Sequence, residues 1–258
     1  MDGLHADAVI HELTALRKPP LRPNGMTLTN RLRVVGTANL LATALHMGAT
    51  RFVTQSFILG YGFCDHGDRL ITEQDPFGIP AGDMTDAAVT AMKLAEMQTF
   101  SAPEGIAVRY GLLYGGDGEQ MKEQLASRRV PVSSGGLLGW VHHHDAAAAT
   151  VAALENGRPG QAHNVVDDRP ATWEEVFTAM AESFGAPPPR HLPHWMMRLI
   201  APYVAALAVD SSMRVSNAKG KHDLGWRPRF ATYREGIAAM VSGAPVESAA
   251  MEPMIARR

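Results

Sequence analysis

Arg51-Phe52-Val53-Thr54-Gln55-Ser56-Phe57, then Gly60-Tyr61-Gly62, then a polar loop and Asp86-Ala87-Ala88-Val89-Thr90-Ala91-Met92-Lys93-Leu94-Ala95-Glu96: this stretch decides the fold. Its first segment is a near-continuous apolar run, as expected of a strand covered on both faces. Its last segment has helical spacing. A helix ends just before it at Met47-Gly48, and a strand from Gly105 to Arg109 follows it. Helix, strand, loop, helix, strand predicts the second half of a doubly wound α/β sheet.

Upstream, Asp7-Ala8-Val9-Ile10-His11 reads as a short buried strand that begins almost at the first residue. Leu13-Thr14-Ala15 then stand at its carboxyl end, where open α/β sheets take ligands. Val34, Ala38, Leu41 and Leu45 follow 4-3-4 spacing and predict one apolar face on a helix from Thr29 to Met47, with Gly48 closing it. Gly36 inside that helix predicts a close helix–strand approach. Asp65 to Asp83 reads as loop, and Thr85 or Asp86 as the cap of a helix reaching Phe100. Downstream, Gly111, Gly115, Gly116 and Gly118 form a flexible turn before a helix from Glu119 to Arg129. Asp145 suits the N-cap of an Ala-rich helix over 146–155. His163 to Val166 is a further strand, and Thr172 with Glu175 has the form of a capping box. Helices follow near 195–208, 217–223 and 231–241, and the tail after Gly243 carries no pattern.

The chain has 258 residues, of which 46% are hydrophobic, enough for a sizeable core. A net charge of -2 argues against a general nucleic-acid surface. Cys64 is the single cysteine, so no internal disulfide forms, which suits a reducing, cytoplasmic setting. Met1-Asp2-Gly3-Leu4-His5 shows neither a basic segment nor a long apolar run of the secretory kind. Trp195 to Val209 is apolar but carries Arg198 and Pro202, and falls short of the roughly 20 residues a membrane span needs, so it reads as a buried helix.

Several motifs, in order, resemble the extended NAD-dependent epimerase/dehydratase branch of the short-chain dehydrogenase/reductases. Asp7 to His11 is similar to that family's fourth strand, and Gly36-Thr37-Ala38-Asn39-Leu40-Leu41 to its "GT-x-N-L-L" helix. Arg51-Phe52-Val53 with Tyr61-Gly62 resembles the fifth strand and its "VYG" end. Lys93-Leu94-Ala95-Glu96 resembles the close of "Y-x-x-x-K-x-x-A-E". Val108-Arg109-Tyr110 with Tyr114-Gly115, Val141-His142 with Asp145-Ala146-Ala147, Asn164-Val165-Val166 and Leu224-Gly225-Trp226-Arg227-Pro228 continue the series. The resemblance implies an incomplete Rossmann-like parallel sheet with a smaller C-terminal lobe. Residues 1–115 and 141–166 would form the truncated NAD(P)-binding domain. Residues 116–140 and 167–258 would form the lobe, with a disordered tail over 244–258.

Three departures shape the expected chemistry. The family's opening strand and G-x-x-G-x-x-G turn, which lay backbone amides against the pyrophosphate, have no counterpart before position 7. The tyrosine expected four residues before Lys93 is Val89. The hydroxyl expected at the end of the fifth strand falls on Phe57, with Ser56 one position early. Arg33 stands where an asparagine is expected, and Leu112 where a polar substrate contact is common. Family chemistry moves a hydride while a phenol passes a proton, and Val89 passes none. The resemblance therefore implies Lys93 as the remaining member of the catalytic set, with Ser56, Tyr61 and Tyr110 as alternative hydroxyls. It implies Leu13, Thr14, Ala15, Lys93, Tyr110, Gly111 and Leu112 around NAD or NADP. His142-His143-His144-Asp145 is read as a helix-opening turn rather than a metal site, because adjacent imidazoles point in different directions.

Two functions follow. One is an NAD(P)-dependent, epimerase/dehydratase-like oxidoreductase acting on a small molecule with atypical catalytic residues. The other is a non-catalytic relative or fragment that binds nucleotide weakly or a protein partner. The strand at Val9 would be an uncovered sheet edge, which predicts self-association through it. No nucleic-acid or membrane partner is expected.

Overall fold

Strands β1 (Ala8–His11) and β2 (Arg51–Phe57) lie side by side in the computed structural model, which describes residues 4–16 and 19–242. β3 (Asp65–Ile71) leaves their sheet, and β4 (Glu104–Tyr110) rejoins it. After β5 (Leu112–Tyr114), β6 (Leu137–Leu138) and β7 (Trp140–His142), β8 (Gln161–Val165) completes a four-stranded sheet of order β1-β2-β4-β8. All three pairings are parallel, with Val9 beside Phe52, Val53 beside Ile106 and Val108 beside His163. This is the Rossmann-like arrangement expected from the spacing.

Helices cover both faces. On one, α1 (Thr27–Arg31), a π-turn over Leu32–Gly36 and α2 (Thr37–His46) run on without a break, and α3 (Asp86–Thr99) packs beside them. The expected Val34, Ala38, Leu41, Leu45 face is not the buried one: Ala38 is exposed and Leu45 is 61% exposed. The wider turn slips the 3.6-residue phase that the pattern carried across it. Ala44 packs instead with Ala49 and Phe52, and Leu40 and Leu41 lie against them. Gly36 does not serve a close approach, since a Cβ there would meet only the Leu32 side chain at 3.6 Å.

On the other face lies α5 (His143–Asn156), reached after α4 (Gly118–Ala126). Val53, Ile106, Val108 and Tyr110 meet Ala146, Ala149 and Ala153 there, and the small side chains let the helix sit close to the sheet. Asp145 is not the N-cap of this helix. His142 takes that place, its Nδ1 accepting from the His144 N–H at 3.2 Å. Asp145 reaches across to accept the backbone N–H groups of Arg229 and Phe230 at 2.8 and 3.0 Å, pinning a distant loop.

The remainder packs at the side of the sheet: β9 (Ala171–Thr172), α6 (Trp173–Ser183), α7 (His194–Ile200), α8 (Pro202–Ala208), β10 (Ser212–Val215), α9 (Ala218–Asp223) and α10 (Tyr233–Ser242). The Thr172–Glu175 capping box forms as expected. The apolar run after Trp195 splits into two helices at Ala201-Pro202, because a proline lacks the N–H a continuing helix needs. Asp65 to Ile71 is a strand and not loop. It pairs with β10, a partner about 145 residues away that local composition does not reveal. The Gly111–Gly118 turn likewise contains β5, parallel to β7. Thr85 makes no capping bond through its side chain; Asp86 instead accepts from the Ala81 and Gly82 N–H groups. The tail at 244–258 lies outside the described residues. No helix among the described residues is long and apolar enough to cross a membrane.

The two sheet edges differ. On β8, Glu73 Oε1 accepts the Asn164 N–H at 2.7 Å, and Lys219 Nζ donates to the Ala162 carbonyl at 2.7 Å. Asn217 continues the row by donating to the Val166 carbonyl. These side chains occupy groups that would otherwise template another strand. β1 is the opposite edge, where Ile10 is 44% exposed.

Candidate active site at the carboxyl ends of the strands

β2 ends in a 3-10 turn, Ile58–Tyr61, that carries the chain over the top of the sheet. Gly60 is required there: a Cβ would lie 2.0 Å from the Phe77 ring. Its carbonyl accepts the Gly78 N–H at 2.7 Å, which brings the 77–78 loop onto the strand end. The Lys93 stem lies against Gly78, where a Cβ would sit 2.3 Å from the Lys93 Cβ. Lys93 is exposed, and its ammonium makes no bond among the described residues.

Below this turn runs a buried polar network. Arg109 on β4 grips Glu96 on α3 with two parallel bonds, Nε to Oε1 at 2.9 Å and Nη2 to Oε2 at 2.7 Å. Both residues are buried. Arg109 Nη1 also donates to the Tyr61 hydroxyl at 2.8 Å, which donates in turn to Asn164 Oδ1 at 2.8 Å. The guanidinium stacks on Phe77, 3.7 Å from the ring centre. Burial pushes the Tyr61 phenol up to about 12, against the pull of the Arg109 cation. Tyr61 is thus a fixed strut between strands, with both sides of its hydroxyl engaged.

The other sequence-derived residues separate into groups. Val89, which the resemblance sets where a tyrosine is expected, is 2% exposed and packs in the core. Ser56 is 5% exposed, and its Oγ has no hydrogen-bond partner. Phe57 packs against apolar residues on both sides. Gly111 meets the backbone of Gly139, where a Cβ would lie 2.7 Å from the carbonyl oxygen, so its glycine serves packing. Leu112 belongs to the core. Arg33 donates to Asn30 within its own helix.

Leu13, Thr14 and Ala15 do stand at the end of β1. Gln55 donates to the Leu13 carbonyl at 2.9 Å, and Thr29 Oγ1 accepts the Ala15 N–H at 3.2 Å. These bonds engage the Leu13 carbonyl and the Ala15 N–H, while Leu13 and Thr14 stay exposed at the strand end. Gly115 and Gly116 do not supply a pyrophosphate cradle: a Cβ on Gly115 would fall 2.2 Å from the His142 ring, so that turn is filled by protein. Among these residues, the exposed Lys93 ammonium is the group whose chemistry would suit a ribose of NAD(P).

Tyr110 opens a feature that the sequence left unread. Its hydroxyl donates to Glu12 Oε1 at 2.9 Å and contacts Thr150 Oγ1. All three line a pocket of about 330 Å³ with Leu113, His143, Ala146, Ala147 and Val151. Glu12 is exposed as a residue, and partial desolvation of its carboxyl against the pocket wall raises it to about 7, although the Tyr110 bond pulls the other way. Burial also lifts the Tyr110 phenol well above its ordinary value, and the Glu12 charge adds to this. A signal for Glu12 was present: a carboxylate immediately following an apolar strand, at the end where such sheets bind ligands.

No family model matches the chain. A curated protein from Streptomyces sp., the 3-diazoavenalumate denitrifying reductase, is 33% identical over 244 residues, covering 90% of this chain and 78% of that protein. Among solved structures, a human epimerase family protein with NADPH superposes with a TM-score of 0.72 at 17% identity, over 92% of this chain and 82% of that one. A dTDP-glucose 4,6-dehydratase from Streptomyces venezuelae with NAD gives 0.72 at 18% identity, over 93% and 73%. The UDP-glucose 4-epimerase of Thermotoga maritima gives 0.68 at 20% identity, over 92% and 76%. The parallel sheet and the curated relative agree, and the chain belongs to the NAD-dependent epimerase/dehydratase family of the short-chain dehydrogenase/reductases.

Proposed function

We propose that this protein is an NAD(P)H-dependent reductase that removes nitrogen from a diazo compound. One observation carries the reading: the phenol position is a buried valine while the lysine one turn later stays free and exposed. In ordinary family chemistry the carbon that exchanges hydride bears an oxygen, and the phenol moves that oxygen's proton. A diazo carbon bears no such oxygen. It takes hydride and loses dinitrogen, and the proton a neutral diazo compound also needs goes to a conjugated oxygen rather than to the reacting carbon, so it need not come from position 89. The curated relative's name describes this reaction type, and it supports the assignment.

A bound nicotinamide supplies the hydride. The protein's share is to hold it and to shield the reacting carbon. Lys93 would meet ribose hydroxyls with its exposed ammonium, and the exposed Leu13 and Thr14 stand at the carboxyl end of β1. Ile58 to Tyr61 and Phe77 wall off the strand end with apolar surface.

The test mixes the protein with NADH or NADPH deuterated at C4 and an ortho-diazophenol. Expected are dinitrogen release, one cofactor oxidised per product, and deuterium at the former diazo carbon. Product formed no faster than in a protein-free blank refutes the assignment.

A further inference from the structure

Thr150 Oγ1 donates to the Ala146 carbonyl at 2.9 Å, and also touches the Tyr110 hydroxyl, which bonds Glu12 at 2.9 Å. The four oxygens therefore form one file, from the helix carbonyl to a carboxyl in a pocket. Proton counting fixes how it works. When Glu12 carries its proton, the file runs Glu12 to Tyr110 to Thr150 to Ala146, and every hydroxyl both donates and accepts. When Glu12 is ionised, both hydroxyls turn and donate toward it. Both states are hydrogen-bonded, and passage between them needs only two hydroxyl rotations.

The pocket gives this file something to act on. Leu113, Ala146, Ala147 and Val151 supply apolar walls, and two alanines in sequence make a low one. Its volume of about 330 Å³ takes a single aromatic ring with a short substituent. The titratable groups facing Glu12 are Tyr110 from β4 and His143 from α5. Burial holds His143 toward its neutral form, so no cation stands in the pocket to keep Glu12 ionised. Leu13, expected at the cofactor end, is the next residue along the chain.

We propose that Glu12, backed by Tyr110 and Thr150, is the acid of this site and protonates an oxygen of a planar, ring-sized substrate held in the pocket. The proposal rests on the reductase reading above and extends it. A neutral diazo compound conjugated to a carbonyl needs one proton besides the hydride. The proton goes from Glu12 to the carbonyl oxygen, hydride from the nicotinamide goes to the diazo carbon, and the carbon–nitrogen bond breaks to release dinitrogen. The products are the hydroxyl compound and the oxidised cofactor, and water restores the Glu12 proton. Glu12 thereby takes over proton transfer from the phenol position, on the opposite face of the sheet from Val89.

The test has two readouts. The first needs no turnover: carbon-13 NMR of glutamate labelled at the carboxyl carbon, with Glu12→Gln to assign the resonance. Glu12 is expected to titrate near 7. Tyr110→Phe removes a donor to the carboxylate and is expected to move the titration higher. A Glu12 resonance titrating in the ordinary carboxylate range overturns the proposal. The second readout compares two substrates. Glu12→Gln is expected to slow reduction of a neutral ortho-quinone diazide by about 10²- to 10⁴-fold, the usual worth of a general acid. The loss should be far smaller for an arenediazonium without a hydroxyl, which needs no proton. Equal losses on both substrates, or none on the quinone diazide, overturn the role of Glu12. If the wild-type protein reduces neither, the reductase reading falls and the catalytic role with it, while the resonance still decides whether the file exists.

Discussion

Glu96→Gln is the most informative single change for stability. Glu96 is 3% exposed and Arg109 5% exposed, and they share two bonds of 2.9 and 2.7 Å. The substitution keeps the side-chain volume but turns an acceptor oxygen into a donor facing a guanidinium. Arg109 then keeps two neutral acceptors, the remaining amide oxygen at position 96 and the Tyr61 hydroxyl, for a charge that has lost its counter-ion and that water cannot reach. Breaking a buried pair on one side costs about 3–5 kcal/mol. At roughly 2–4 °C per kcal/mol for a chain of this size, the melting temperature should fall by about 6–20 °C. Loss of the strut would also loosen Tyr61 and Asn164, and with them the contact between β2, β4 and β8. Urea unfolding at low and high salt is the assay. A buried pair is screened little, so the loss should persist at 1 M salt. The double variant Glu96→Leu/Arg109→Met should recover part of the loss, because it leaves no charge stranded. A loss below about 1 kcal/mol for Glu96→Gln, or one that vanishes with salt, refutes the reasoning.

Further outcomes follow from other sites. Asp167 is 4% exposed with neither carboxylate oxygen bonded, and burial, with Asp168, Asp145 and Glu235 nearby, raises it to about 8. Its folded value thus lies above its unfolded one, so its contribution is greatest in acid and declines as pH rises toward 8. Melting curves from pH 5 to 8.5 should show that decline, and Asp167→Asn should flatten it. Gly105→Ala places a Cβ 1.8 Å from the Thr99 carbonyl oxygen, which is backbone and gives little. A loss of about 3 kcal/mol or more and poor soluble yield are expected. Thr172→Ala removes the capping box and should cost about 1 kcal/mol by urea titration. Lys93→Ala should leave stability within about 0.5 kcal/mol, since the side chain is exposed and unbonded. It should weaken NADH and NADPH binding measured by fluorescence.

Much of the sheet was legible. β2 was read to the residue, since a β-type run with apolar Phe52, Val53 and Phe57, set between Gly48 and Gly60, has few other solutions. The order of strands and helices around it set the parallel topology. Three of the local readings that failed show the physical reasons. The π-turn slipped the helical phase of α2, so Leu45 points outward. β3 was taken as loop because its pairing partner lies far along the chain. Asp145 was read as a cap because its true partners, Arg229 and Phe230, are equally remote.

The amino-acid sequence by itself determined the fold class and the family, because periodicity and motif order are local and survive unfolding. Only the tertiary structure decided which polar groups work together. Arg109, Glu96, Tyr61 and Asn164 come from separate elements, as do Glu12, Tyr110 and Thr150. Whether a hydroxyl is a strut, a stranded donor like Ser56 or part of a proton file depends on what burial brings within 3 Å of it. That is set by packing across the sheet, where neighbours along the chain have no say.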